Sequence, residues 1–185
     1  LICLLFLSQW ARSAEPAGRG TVWVDPYRGE PVTYEEVVDD LVGVRVVYLG
    51  EAHSLDRHHK MQEAILRDLA ARGRSLALGI EQLERYQQPH LDRYNRGEVD
   101  FDELAKLTDW EDRWRDYQQY RSIVEAAREL KIPVLALNAR AETARQIFRS
   151  GGVEGLDAET RMELPDDMLL KDPPYERLLN LQLMV

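Results

Sequence analysis

The residues best equipped for chemistry in this chain are a few glutamates and histidines. Glu51 and His53 stand two apart in Gly50-Glu51-Ala52-His53, followed by His58, His59 and Gln62, and Glu81 lies further along. A carboxylate pair with imidazoles is the raw material of general acid–base catalysis or of a metal site. Glu51, His53 and Glu81 are therefore the candidate catalytic set of a hydrolase, metal-assisted or not. The competing reading makes Glu51 a helix-start anion and leaves His58 and His59 on a helix surface. A second group is aromatic: Tyr86, Tyr94, Phe101, Trp110, Trp114, Tyr117 and Tyr120. Trp110, Trp114 and Tyr117 recur at i, i+4 and i+7, which on one helix makes a stripe. Such a stripe either packs on a sheet or walls a large flat ligand, with a tyrosine phenolate available to iron.

The elements that must position these groups alternate. Thr33 and Glu36 form a capping box that opens a helix expected to end near Gly43. Val44–Leu49 is short, β-branched and nearly all apolar, the pattern of a buried parallel strand, and it stops at Glu51 and His53. Ser54 is then the expected N-cap of a long amphipathic helix to about Arg72, with Gly73 as its C′ residue. Ser75–Ile80 reads as a second strand ending at Glu81. Helical stretches follow over 85–96, 101–108 and 117–130, then a third strand over Ile132–Leu137 ending at Asn138. This order predicts an α/β fold, a mostly parallel sheet flanked by helices in three layers. In such sheets ligands bind at the carboxyl ends of the strands, where Glu51, His53, Glu81 and Asn138 all fall.

Composition narrows the function classes. The chain has 185 residues, 24 Lys+Arg against 33 Asp+Glu, and a formal charge of −9. That balance argues against a general nucleic-acid binder, which needs cations to neutralise phosphates. There is no Gly-x-Gly-x-x-Gly, no phosphate-binding Gly-Lys-Ser/Thr, no His-Glu-x-x-His and no Gly-x-Ser-x-Gly. One cysteine cannot build a disulfide framework or a cysteine-based zinc site.

The ends carry their own signals. Residues 1–13, an apolar run closing on Ala11-Arg12-Ser13, read as the remnant of a secretory signal peptide cleaved after Ser13. Cys3 falls within that run and leaves with it, which places lipidation behind simple export. Residues 14–32 read as an N-terminal linker, and 33–185 as one α/β domain expected to be cut at its C-terminal end. An exported protein of the periplasm or outer membrane is the expectation.

The ordered motifs resemble one family. They are Val46–His53, then His58-His59 and Gln62, then Gly79-Ile80-Glu81-Gln82, Tyr86-Gln87 and Leu91–Tyr94, then Trp110, Trp114 and Asp116-Tyr117, and finally Ile132–Arg140. Over about residues 33–165 the chain is similar to the ChaN-type haem-binding uptake proteins, within a superfamily that includes Tiki and TraB proteins and erythromycin esterases. The resemblance implies a non-enzymatic haem-binding protein of bacterial iron or haem uptake. It implies a homodimer formed around two cofacial haems, each iron held by a tyrosine, and a peripheral association with the outer membrane. Tyr117 and Tyr86 are the leading candidates for that ligand, with Tyr94 and Tyr120 behind them. His58, His59, Gln62, Trp110, Trp114, Asn138 and Arg140 are the further candidates for contact with haem.

Overall fold

The computed structural model describes residues 21–168 and 171–183. The signal-peptide reading and Cys3 lie outside the described residues. An antiparallel hairpin, β1 (Trp23–Asp25) and β2 (Glu30–Val32), leads into helix α1 (Tyr34–Val42). The expected capping box at its start is present. The Thr33 hydroxyl accepts from the Glu36 N–H, and the Glu36 carboxylate accepts from the Thr33 N–H at 2.7 Å. Helix α2 (Asp56–Ala71) packs on α1 through Val38, Ile65 and Leu69. It is followed by Gly73 (φ +74°), whose left-handed backbone favours glycine.

The core of the chain is a parallel strand pair with helices around it. Strand β3 (Leu78–Glu84) pairs with β4 (Val134–Asn138), Leu78 opposite Val134 and Ile80 opposite Ala136. The crossover between them holds α3 (Gln88–Asn95), α4 (Phe101–Leu107), α5 (Trp110–Arg113) and α6 (Arg121–Glu129). Their apolar faces and the inner face of the pair make one core, including Leu83, Leu91, Tyr94, Phe101, Leu104, Trp110, Val124 and Val134. Helix α3 also caps the edge of β4. Asn95 donates to the Val134 carbonyl and accepts from its N–H, both at 3.0 Å, and Gln88 accepts from the Ala136 N–H at 2.8 Å. Side-chain amides thus mimic a neighbouring strand and close an edge that would otherwise stay open. Helices α7 (Ala141–Ser150), α8 (Ala158–Arg161) and α9 (Pro173–Leu183) follow β4.

Four local expectations need correction. Val44–Leu49 is not a ladder strand. Val46 and Tyr48 are exposed, so the run is not buried on both faces, and side chains take its end carbonyls: Arg74 donates to Val44 and Gln62 to Leu49. Ser54 is not the cap of α2. It sits inside a turn closed by the Leu55 N–H on the Ala52 carbonyl, and Leu55 becomes the N-cap. The second strand does not stop at Glu81 but runs to Glu84. Asn138 pairs with Glu84 while Ala136 pairs with Ile80, so Glu81–Leu83 form a bulge. Trp110, Trp114 and Tyr117 do not share a helix: α5 has four residues, and Trp114 is extended (φ −135°, ψ 104°).

Candidate functional site

Glu51 is the hub of the site. The segment after Leu49 turns at Ala52–Leu55 before α2 begins, which brings Glu51 over the start of that helix. Its Oε1 accepts from the Tyr120 hydroxyl at 2.5 Å and lies 2.8 Å from His53 Nδ1. Its Oε2 accepts from Gln62 Nε2 at 2.8 Å, and the same amide donates to the Leu49 carbonyl at 3.1 Å. Gln62 lies on α2, so one side chain ties the carboxylate and the backbone before it to the helix. The Glu51 side chain is only 7% exposed. Burial pushes its pKa up, but the hydrogen bonds from Tyr120, His53 and Gln62 and the nearby His59 outweigh this, and the carboxyl is held below the usual range. Burial and the carboxylate beside it push the Tyr120 hydroxyl up from its ordinary value. Near neutrality the pair is carboxylate and phenol.

Two histidines flank the hub in different ways. His59 is fully buried, stacked on the Tyr120 ring at 4.5 Å between centroids. Its Nε2 lies 3.5 Å from Glu51 Oε2, close enough for charge interaction but too long for a hydrogen bond, and both ring nitrogens lack a hydrogen-bond partner. His53 is half exposed and rests edge-on against Trp114 at 4.9 Å. With Nδ1 on Glu51, its Nε2 is left for an outside partner, as in carboxylate–histidine metal sites. His58 is used locally: its Nδ1 accepts from the Ala52 N–H at 2.9 Å and stiffens the turn.

Glu81 completes the constellation from the bulge in β3. One ligand atom each from Glu51, His53 and Glu81 lie within 4.8 Å of one another. Asn138 donates to the Glu81 carbonyl at 2.9 Å and so fixes the bulge that presents it. Trp110 is fully buried behind Tyr120, and Trp114 meets Tyr120 edge-on at 6.1 Å. The aromatic segment is thus core on one side and the wall of the site on the other.

Other predicted residues make their contacts elsewhere. Tyr86 is half exposed, with the Arg140 guanidinium 4.5 Å and the Arg113 guanidinium 6.0 Å from its ring centre. Arg113 also donates to its phenol oxygen at 2.9 Å and pairs with Glu84, while Arg140 pairs with Glu163. Tyr94 is buried in the core with Arg128 over its ring, and burial pushes its hydroxyl up to about 12. Tyr117 is partly buried and stacks on Phe101. Sequence reasoning missed Arg113, Glu84 and Glu163, because no local spacing links Glu84 to Arg113 across the crossover or Arg140 to Glu163 beyond α8. It ranked Tyr120 behind Tyr86 and Tyr117, although Tyr120 is the aromatic residue bonded to the hub.

Residues 37–184 match the family described as haem-binding uptake, Tiki superfamily, ChaN. The chain belongs to that family. Among solved structures it is similar to ChaN of Campylobacter jejuni, described as showing cofacial heme binding, with a TM-score of 0.65 and 18% identity. The match covers 89% of this chain and 64% of the Campylobacter chain. That likeness establishes the ChaN-like mixed α/β fold. A comparison with curated proteins gave no match. Among the described residues of this ChaN-family chain, no helix is long and apolar enough to cross a membrane.

Proposed function

We propose that this ChaN-family chain binds haem in the uptake of iron by bacteria, as an exported protein of the periplasm or outer membrane. Family membership over residues 37–184 is the observation that carries the reading. The site chemistry supports it: an anionic hub, an outward imidazole and an aromatic wall meet at one rim. Tyr86 and Tyr117 remain the proposed iron ligands. A phenolate ligand must reach the iron, whereas Tyr94 is fully buried in the core and the Tyr120 hydroxyl is bonded to Glu51. Haem, when bound, would supply a ferric centre suited to a hard phenolate oxygen. Two copies meeting through their haems is the proposed assembly. The test is a haemin titration of the protein with its Tyr86→Phe and Tyr117→Phe variants. A ferric phenolate charge-transfer band, lost in one of the two variants, supports the reading. Absence of the band in the unaltered protein rejects it.

A second reading is favoured by one observation, the convergence of Glu51, His53 and Glu81 within 4.8 Å. Two carboxylates and an imidazole could hold a divalent cation, which would polarise a substrate carbonyl or activate water. In this reading Glu51, itself held by Tyr120 and Gln62, orients His53. Turnover of ester, amide or peptide substrates with added zinc or manganese, abolished by Glu51→Gln and His53→Ala, would support hydrolysis. Background turnover in the unaltered protein would dismiss it.

A further inference from the structure

We infer that Arg113 is a positioning residue for the Tyr86 phenol oxygen, fixing it at the rim of the site and drawing electron density from it when it holds a metal; this rests on the haem reading above. Tyr86 is 43% exposed, and a tyrosine so open is free to turn unless something grips it. Here two guanidiniums do. Arg113 Nη2 donates to the Tyr86 oxygen at 2.9 Å, while its Nη1 pairs with Glu84 Oε1 at 2.8 Å. The planar fork thus bridges a carboxylate and a phenol in one geometry. Glu84 is itself buried, and its Oε1 also accepts from the Ala141 N–H at 3.2 Å, which ties the anchor of Arg113 to the start of α7. Arg140 lies over the ring face, 4.5 Å from its centre, and pairs with Glu163 at 2.8 Å, which accepts from the Thr143 hydroxyl at 2.8 Å. An arginine can only donate, so the Tyr86 oxygen meets Arg113 with a lone pair and turns its proton away. Tyr117, in contrast, is placed by stacking on Phe101 and Trp110. Exposed ion pairs contribute little to stability, so two such pairs arranged about one tyrosine are better explained by what its oxygen does. The place agrees. Tyr86 follows β3 and Arg140 follows β4, at the carboxyl end of the pair, and Arg113 precedes Trp114, whose ring meets His53. A cationic donor on a phenolate ligand lowers the electron density that the oxygen gives to iron, which favours the ferrous state relative to a bare phenolate.

The experiment measures the reduction potential and the iron–phenolate stretching mode of the haemin complex in the unaltered protein and in Arg113→Ala, Arg113→Lys and Arg96→Ala. Arg96→Ala is the control, removing the same charge from an arginine whose partner is Glu98. Circular dichroism confirms folding, and Arg113→Gln, whose amide can still meet Glu84, serves should Arg113→Ala fail to fold. The expected result is that every variant keeps the mode and that Arg113→Ala shifts the ratio of ferric to ferrous affinity about tenfold towards ferric, a potential lower by about 59 mV for one electron. Arg113→Lys, whose ammonium can reach the same oxygen, should lie between, and Arg96→Ala should match the unaltered protein. A merely structural arginine would change stability and leave the potential where it was. Loss of the mode in Arg113→Ala that Arg113→Lys restores also supports positioning, and loss that it does not restore overturns it. A potential unchanged by Arg113→Ala, with the mode lost in Tyr86→Phe, overturns the inference while Tyr86 stays the ligand. A mode kept in Tyr86→Phe and lost in Tyr117→Phe overturns it while the haem reading stands. Absence of the mode from the unaltered protein overturns both.

Discussion

Replacing Glu51 by Gln changes one atom of the hub and tests how its hydrogen bonds are wired. The carboxylate accepts from Tyr120, His53 and Gln62, and an amide can accept at only one of its two ends. Its NH2 cannot face Gln62, because the Gln62 amide already donates to the Leu49 carbonyl and turning it over would set two oxygens together. The NH2 must therefore face Tyr120 and His53, forcing the phenol to accept and the imidazole to present a lone pair. Hydrogen bonds to a charged group contribute about 1.5–3 kcal/mol and neutral ones about 0.5–1.5, so converting the set costs about 2–4 kcal/mol. Urea unfolding of Glu51→Gln, Tyr120→Phe and the double variant reads this directly, with a coupling between the two sites of about 1–2 kcal/mol. The pH dependence has a definite sign. The folded pKa of Glu51 is depressed, so its stabilisation is complete above the ordinary glutamate value of about 4.3 and is lost as pH falls through the lower folded value. Glu51→Gln should lack that acid-side loss. A variant within about 0.5 kcal/mol of the unaltered protein, with no coupling to Tyr120, would refute the wiring.

Further outcomes follow from the same geometry. Trp110→Ala should cost about 3–5 kcal/mol in chemical denaturation, because the indole is fully buried between Phe101 and Tyr120; a loss under 1 kcal/mol would contradict its place in the core. Thr33→Ala should cost about 1 kcal/mol by removing the capping box, with hydrogen exchange quickening at the first turn of α1. Asn95→Leu should cost about 1–3 kcal/mol, since it leaves the Val134 N–H without its acceptor while Gln88 still donates to the Val134 carbonyl at 3.3 Å, and exchange of the Val134 amide should rise with it.

Much of the site was legible because its parts obey local rules. Gly50-Glu51-Ala52-His53 announces a polar turn after an apolar run, and Thr33 with Glu36 announces a helix start. The capping box sits where expected, and the polar turn is present although no ladder strand leads into it. The rest depends on distances along the chain that local pattern does not carry. Val44–Leu49 has the composition of a buried strand, yet exposure of Val46 and Tyr48 and side-chain capture of its end carbonyls leave it outside the ladder. The bulge at Glu81–Leu83 cannot be read from β3 alone, because it is created by the partner strand and held by Asn138, more than fifty residues away. His59 shows the same limit. On a helical wheel it resembles its neighbour His58, but the ring of Tyr120 turns it into a buried group facing the hub.

The central claim, haem held by a tyrosinate of this chain, is tested most directly by resonance Raman spectroscopy of the haemin complex. The account predicts an iron–phenolate stretching mode that disappears in either Tyr86→Phe or Tyr117→Phe and persists in Tyr94→Phe. A haemin complex without that mode, or one in which it survives loss of both Tyr86 and Tyr117, would contradict it.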